Sequence, residues 1–236
     1  MDLVVAFGKC AFVCVSWLKA AEFLSYKKIT TNAQSRKVIH IGTGLIFCLT
    51  WSLFPQNNHL SKYVASIIPG LVTVLYTLIG LGLVKDQKTV NSMSRSGNPT
   101  ELLYGPASYG FIIVFLTTYY WVYSPIGVTA ISFLCIGDGF AGLIGYEFGR
   151  KPLPWNKNKT IVGSISFLLS SVIGTIIMFN LMQKVGLFLQ FSVMLYIPYL
   201  VTAAAICTAI ESLPMHDWDN ITVFLTCTLL FTYFGY

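Results

Sequence analysis

Residues 126–146 read IGVTAISFLCIGDGFAGLIGY, an apolar run of twenty-one residues with one charge, Asp138, set between two glycines. A helix that crosses a bilayer needs about 20 predominantly apolar residues, and this run has that length. An ionisable group inside such a run is costly and marks a functional site by default. Asp138, Gly142, Gly145 and Gly149 follow one another at spacings of four, three and four. They form one smooth helical strip with a carboxylate on it. Such a strip lets a second backbone or a phosphate come close. The alternative is a helix-packing face, with Gly145-x-x-x-Gly149 as its small-residue motif.

The rest of the chain agrees with a membrane setting. Its 236 residues are 55% hydrophobic, 15% aromatic and only 10% charged. A soluble domain carries about 25% charged residues, so an ordinary cytosolic globule is excluded, and the aromatic content excludes disorder. The expected fold class is all-α, a polytopic membrane protein of seven or eight transmembrane helices forming one domain over residues 1–236. Hydropathy places the spans at about 3–24, 39–54, 63–84, 107–123, 126–146, 161–182, 188–211 and 221–236, the second and fourth being the shortest signals. The start of the chain resembles neither a signal peptide nor an organelle transit leader. The six cysteines all sit in apolar runs without a CxxC pair, so they read as small buried residues rather than a disulfide or zinc framework.

The net charge of +6 reads as a membrane-sidedness signal rather than a nucleic-acid surface. One set of alternate loops holds eleven basic residues: Lys27, Lys28, Arg36, Lys37, Lys85, Lys88, Arg95, Arg150, Lys151, Lys157 and Lys159. The other set holds two, Lys62 and Lys184. The positive-inside rule puts the first face in the cytosol, or in the stroma of a plastid. With eight spans, both termini lie on the opposite side. The long polar loops 85–106 and 147–160 also lie on the basic face, where function is expected.

Several groups on that face suit phosphate chemistry. Residues 149–164, GRKPLPWNKNKTIVGS, follow the glycine strip directly. Cations, amides and the backbone N–H groups opening the next helix there can bind a polyphosphate. Arg36 and Lys37 stand together at the start of the second span, where cations are unfavourable to the helix dipole unless an anion offsets them. His40 in the same turn reads as a packed, hydrogen-bonded histidine. Glu211, Asp217 and Asp219 are three of only nine acids. The two aspartates are candidates for Mg²⁺, with helix capping by Asp219 or Asn220 as the alternative. No GxxxxGK[ST] loop, HExxH motif or kinase catalytic loop is present.

Together these elements resemble the polyprenol kinase family, most closely its phytol kinase and farnesol kinase branch. The resemblance runs from about Ser35 to the C-terminus. It rests on Ser35–His40, Arg95–Pro106, Ser124–Gly127, the long Gly137–Ser166 block, Glu211–Pro214, Asp219–Val223 and the ending Phe234-Gly235-Tyr236. It implies a multi-pass enzyme that moves the γ-phosphoryl group of a nucleoside triphosphate, typically CTP, to the hydroxyl of an isoprenoid alcohol, with Mg²⁺. Membrane lipid surrounds it and no nucleic acid is a partner. The setting would be a plastid membrane in a plant or alga, and otherwise the cytoplasmic or endoplasmic reticulum membrane.

The resemblance implies that Arg36, Lys37, Asp138 and Gly145 are essential, and the first three, with Asp219 from the acidic group, are the catalytic candidates. Gly145, Asn156, Lys157, Lys159, Thr160 and Gly163 would hold the nucleotide, and Asp138, Asp217 and Asp219 the metal. The family's usual second aspartate, four residues after the first, is Gly142 here. Its usual acid before the Arg-Lys pair is absent from Thr31–Ser35. Two other readings fit the same residues: a CTP:lipid-phosphate cytidylyltransferase and a transporter using Asp138 as an ion site.

Overall fold

The computed structural model describes residues 2–27, 32–94, 96–214 and 218–236. Among them ten α-helices and one short hairpin are formed. In chain order the helices are α1 (Leu3–Tyr26), α2 (Asn32–Thr50), α3 (Ser61–Gly80), α4 (Gln87–Met93), α5 (Ser108–Tyr119), α6 (Pro125–Ser132), α7 (Asp138–Phe148), α8 (Ile161–Lys184), α9 (Val193–Glu211) and α10 (Asp219–Tyr233). The hairpin pairs β1 (Pro152–Leu153) with β2 (Asn156–Thr160), antiparallel, with Pro152 opposite Thr160 and Leu153 opposite Asn156. It occupies the polar loop expected after the glycine strip. Its sequence, Asn-Lys-Asn-Lys-Thr, has no apolar alternation to announce a strand.

Five helices among the described residues are long and apolar enough to cross a membrane: Leu3–Ala21, Ser61–Gly80, Pro125–Phe148, Ile161–Lys184 and Val193–Glu211. The other three segments read as spans are helical but shorter in their apolar part, namely Lys37–Leu53, the 12 residues of α5 and the 15 of α10. Lys28 and Arg95, counted for sidedness, lie outside the described residues.

The stretch from Pro125 to Phe148 is the axis of the molecule. Of its window 78% is buried, against 17–39% for the other four long spans. Pro125 starts α6 and the Ser124 hydroxyl caps it, accepting from the Ile126 N–H at 3.2 Å. The helix widens to a π turn over Phe133–Gly137 and then tightens again into α7. Helices α2, α5, α8 and α10 pack around it. The core is aromatic away from the basic loops: Trp51 stacks on Trp121 at 4.8 Å, and Tyr196 stacks on Phe231 at 4.9 Å. All six cysteines are buried and free, as their apolar surroundings imply.

Candidate active site

The π turn fixes where Asp138 stands. A π turn opens the i→i−4 ladder by one residue, a feature found mostly at functional sites. The Leu134 carbonyl, inside that turn, accepts a hydrogen bond from Nε2 of His40 at 2.9 Å. Nε2 of His40 also lies 3.4 Å from Oδ2 of Asp138, one turn further along. The ring of Tyr109, on α5, packs on the imidazole at 4.5 Å. Its hydroxyl donates to the His40 carbonyl at 3.3 Å and meets the Cys135 sulfur at 2.7 Å. Three elements distant in sequence are thereby locked around one carboxylate.

Lys37 completes the cluster. Its ammonium donates to Oδ2 of Asp138 at 3.2 Å and to the Asp138 carbonyl at 3.4 Å. It reaches there only because residue 142 is glycine. A Cβ at that position would overlap the end of the Lys37 side chain. Lys37 and Asp138 each keep between a fifth and a quarter of their side-chain surface exposed. The pair is thus neither sealed nor fully solvated.

That exposure opens into a cavity of about 450 Å³. One end is polar, formed by Lys37, His40, Asp138, Asp219, Asn220 and Glu101. The remainder is largely apolar and comes from α1, α2, α3 and α5, including Leu18, Phe47, Ile68, Val72 and Ile113. The cavity therefore has a charged head and a greasy body. The body leaves no mark in the sequence, because its wall residues are ordinary members of apolar helices.

A second cluster lies at the hairpin. The Lys159 ammonium is paired with Oε1 of Glu211 and, at 2.8 Å, with Oδ2 of Asp219. Burial works to lower the pKa of Lys159, but the carboxylates of Glu211, Asp219 and Asp138 outweigh it and hold the value above that of an ordinary lysine. The Asn156 side-chain amide is buried and donates to the carbonyls of Ser212 and Leu213 at 3.1 and 3.2 Å. The Trp155 indole N–H donates to the Ser212 hydroxyl at 3.1 Å. These bonds pin the hairpin to the corner between α9 and α10.

The expected nucleotide-binding residues thus separate into different settings. Asn156 and Lys159 tie elements together, while Lys157 is exposed. Thr160 caps α8, its hydroxyl accepting from the Gly163 N–H at 3.1 Å. Gly145 and Gly163 face each other where α7 meets α8, and a Cβ on Gly145 would stand 3.2 Å from the Gly163 Cα. Glycine spacing there serves helix contact. Asp138 and Lys37 meet, and Asp219 lines the same cavity. Asp217 and the side chain of Arg36 lie outside the described residues. His40 was read only as a packing residue, yet it also contacts Asp138. Glu211 was read as one of an acidic group, without its partner Lys159.

Among the described residues no three His, Cys, Asp or Glu side chains gather as a ready metal cage. Mg²⁺ needs no such cage, since one or two carboxylates plus substrate phosphates suffice, and the carboxylates of Asp138, Asp219 and Glu101 line the cavity.

No family model and no solved structure matches the chain. Curated relatives do. A protein of Oryza sativa subsp. japonica named probable phytol kinase 2, chloroplastic, is 36% identical over 222 residues, covering 93% of this chain and 72% of the relative. The farnesol kinase, chloroplastic, of Arabidopsis thaliana is 36% identical over 228 residues, covering 96% and 73%. The phytol kinase 1, chloroplastic, of the same plant is 31% identical over 219 residues, covering 91% and 71%. With likeness of this depth over nearly its whole length, the chain belongs to the phytol kinase and farnesol kinase family.

Proposed function

We propose that the protein is a membrane-embedded prenol kinase that transfers the γ-phosphoryl group of CTP to the hydroxyl of an isoprenoid alcohol such as farnesol, geranylgeraniol or phytol. The cavity carries this reading. Its apolar body suits a prenyl chain, and its head presents Lys37, His40 and Asp138 where the chain's hydroxyl would lie. The names of the relatives support the alcohol as acceptor, and their chloroplastic designation supports a plastid membrane.

The step requires positioning and charge neutralisation more than covalent help from the protein. The prenol oxygen forms a bond to the γ-phosphorus while the bond from that phosphorus to the β-bridging oxygen breaks, releasing CDP. Asp138, oriented by Lys37 and His40, holds the hydroxyl and takes its proton. Lys37 neutralises charge on the phosphoryl oxygens, and Arg36, its neighbour in sequence, is a further candidate for them. Asp219, with Asp138, would hold Mg²⁺, which supplies further neutralisation at the phosphates when bound. With eight spans, the head of the cavity lies on the basic, cytosolic or stromal face.

The test is purified protein in lipid with Mg²⁺, CTP or ATP, and a panel of prenols, followed by mass spectrometry of both products. Prenyl monophosphate with CDP is expected, with CTP better than ATP at equal concentration. Release of diphosphate in place of CDP would replace the kinase by a cytidylyltransferase. Prenol movement with no nucleotide consumed would replace it by a transporter.

A further inference from the structure

Phe47 is the cavity-lining residue of α2 furthest along the helix from Lys37, which pairs with Asp138. We propose that Phe47 is the floor that sets the length of isoprenoid chain the site accepts, an inference that rests on the prenol kinase reading above. Along α2 the cavity is lined by Lys37, His40, Thr43 and Phe47, at spacings of three, three and four that keep them on one face. The ten residues from Lys37 to Phe47 span about 15 Å of helix. A prenol with its hydroxyl beside Asp138 therefore lays its chain along a slot of about that length. A farnesyl chain lies extended in such a slot. A geranylgeranyl or phytyl chain is one isoprene unit longer, and must bend or press on the floor.

The floor is braced. Phe47 is 3% exposed, and Trp51, one turn further on, meets its ring edge-on at 6.2 Å. Trp51 stacks on Trp121, and Phe54 meets Trp121 edge-on at 6.1 Å. Trp51, Trp121 and Phe54 are all buried. A group packed at the density of a protein interior gives way little to an incoming methyl group. Thr43 stands one turn shallower on the same face and is only half-buried, so added bulk there would raise the floor.

The measurement is kcat/KM for geraniol, farnesol and geranylgeraniol with the wild type and three variants in lipid. Phe47→Ala should raise the geranylgeraniol-to-farnesol ratio by about tenfold or more, the scale on which apolar pockets discriminate small differences in volume. Phe47→Leu should raise it less. Thr43→Leu should move selectivity the other way, raising the geraniol-to-farnesol ratio. If Phe47→Ala does not fold, Phe47→Leu and Thr43→Leu decide the matter. Unchanged ratios in active variants would overturn the role of Phe47 and leave the kinase reading standing. A wild type that phosphorylates no prenol would overturn both.

Discussion

Gly142 leaves room for a single ammonium group, and that makes it a probe of the Lys37–Asp138 pair. A Cβ there meets only the flexible end of Lys37, not backbone. Gly142→Ala should therefore fold normally, with an unchanged melting temperature in detergent, while Lys37 is pushed off the carboxylate. Displacing a positioning group by about 1 Å can cost on the order of a hundredfold. Turnover of the variant should fall at least tenfold. Wild-type turnover would show that the contact at 3.2 Å does not matter to catalysis. At this scale the sequence was informative about type and silent about partnership. Asp138 stood out because it was a charge in an apolar run, and Lys37 because it stood beside another cation just before an apolar run. Their meeting spans 101 residues and leaves no local pattern. His40 had the signature of a packed histidine, and hydrogen-bonds the Leu134 carbonyl accordingly; its approach to Asp138 depends on a π turn that hydropathy does not encode.

The elements around the site are held by close contacts that can be broken one at a time. Gly163→Leu forces a side chain between α7 and α8, where a Cβ would already stand 3.2 Å from the Ala141 carbonyl. Overpacking of this kind costs about 1–3 kcal/mol, read as a lower midpoint of thermal or denaturant unfolding. Lys159→Met leaves Glu211, only 3% exposed, without its partner. The loss should be about 3 kcal/mol, the low end for a broken buried pair, because Lys159 and Asp219 keep some exposure. Adding Glu211→Gln should recover part of it. The pH dependence has a definite sign. Lys159 titrates above an ordinary lysine, so its contribution is complete below that ordinary value and is lost only as pH rises through the higher folded one. The contribution of Lys159 should stay flat through neutral and mildly alkaline pH, then fall at strongly alkaline pH in the wild type, a fall absent from Lys159→Met. The helix from Pro125 to Phe148 was legible as one long apolar run. The hairpin was not, since a two-residue strand and a strand of polar residues lack the alternation that marks a strand, and the bonds of Trp155 and Asn156 to the α9–α10 corner come from far along the chain.

For the whole molecule, the bias of eleven basic residues to two predicts one face for the site. All six native cysteines are buried, so single cysteines placed on the surface can be read against a low background. Cysteines at the exposed positions Gln87 and Lys157 should react with an impermeant thiol reagent from the same side. Labelling from opposite sides would contradict the eight-span arrangement. The membrane class followed from composition alone, because so few charges cannot cover a soluble surface of this size. The cavity did not, because it arises from four helices whose individual sequences are merely apolar. If a prenol lies in that cavity with its hydroxyl at Asp138, the charge of that carboxylate is needed for transfer. Turnover of CTP and farnesol by wild type and Asp138→Asn, reconstituted at equal amounts in the same lipid, tests it most directly. Asparagine keeps the shape and removes the charge. The wild type should give farnesyl monophosphate, and the variant, still folded, should lose about a hundredfold or more of that turnover, the scale for one electrostatic catalytic group. Wild-type turnover by a folded Asp138→Asn protein would contradict it.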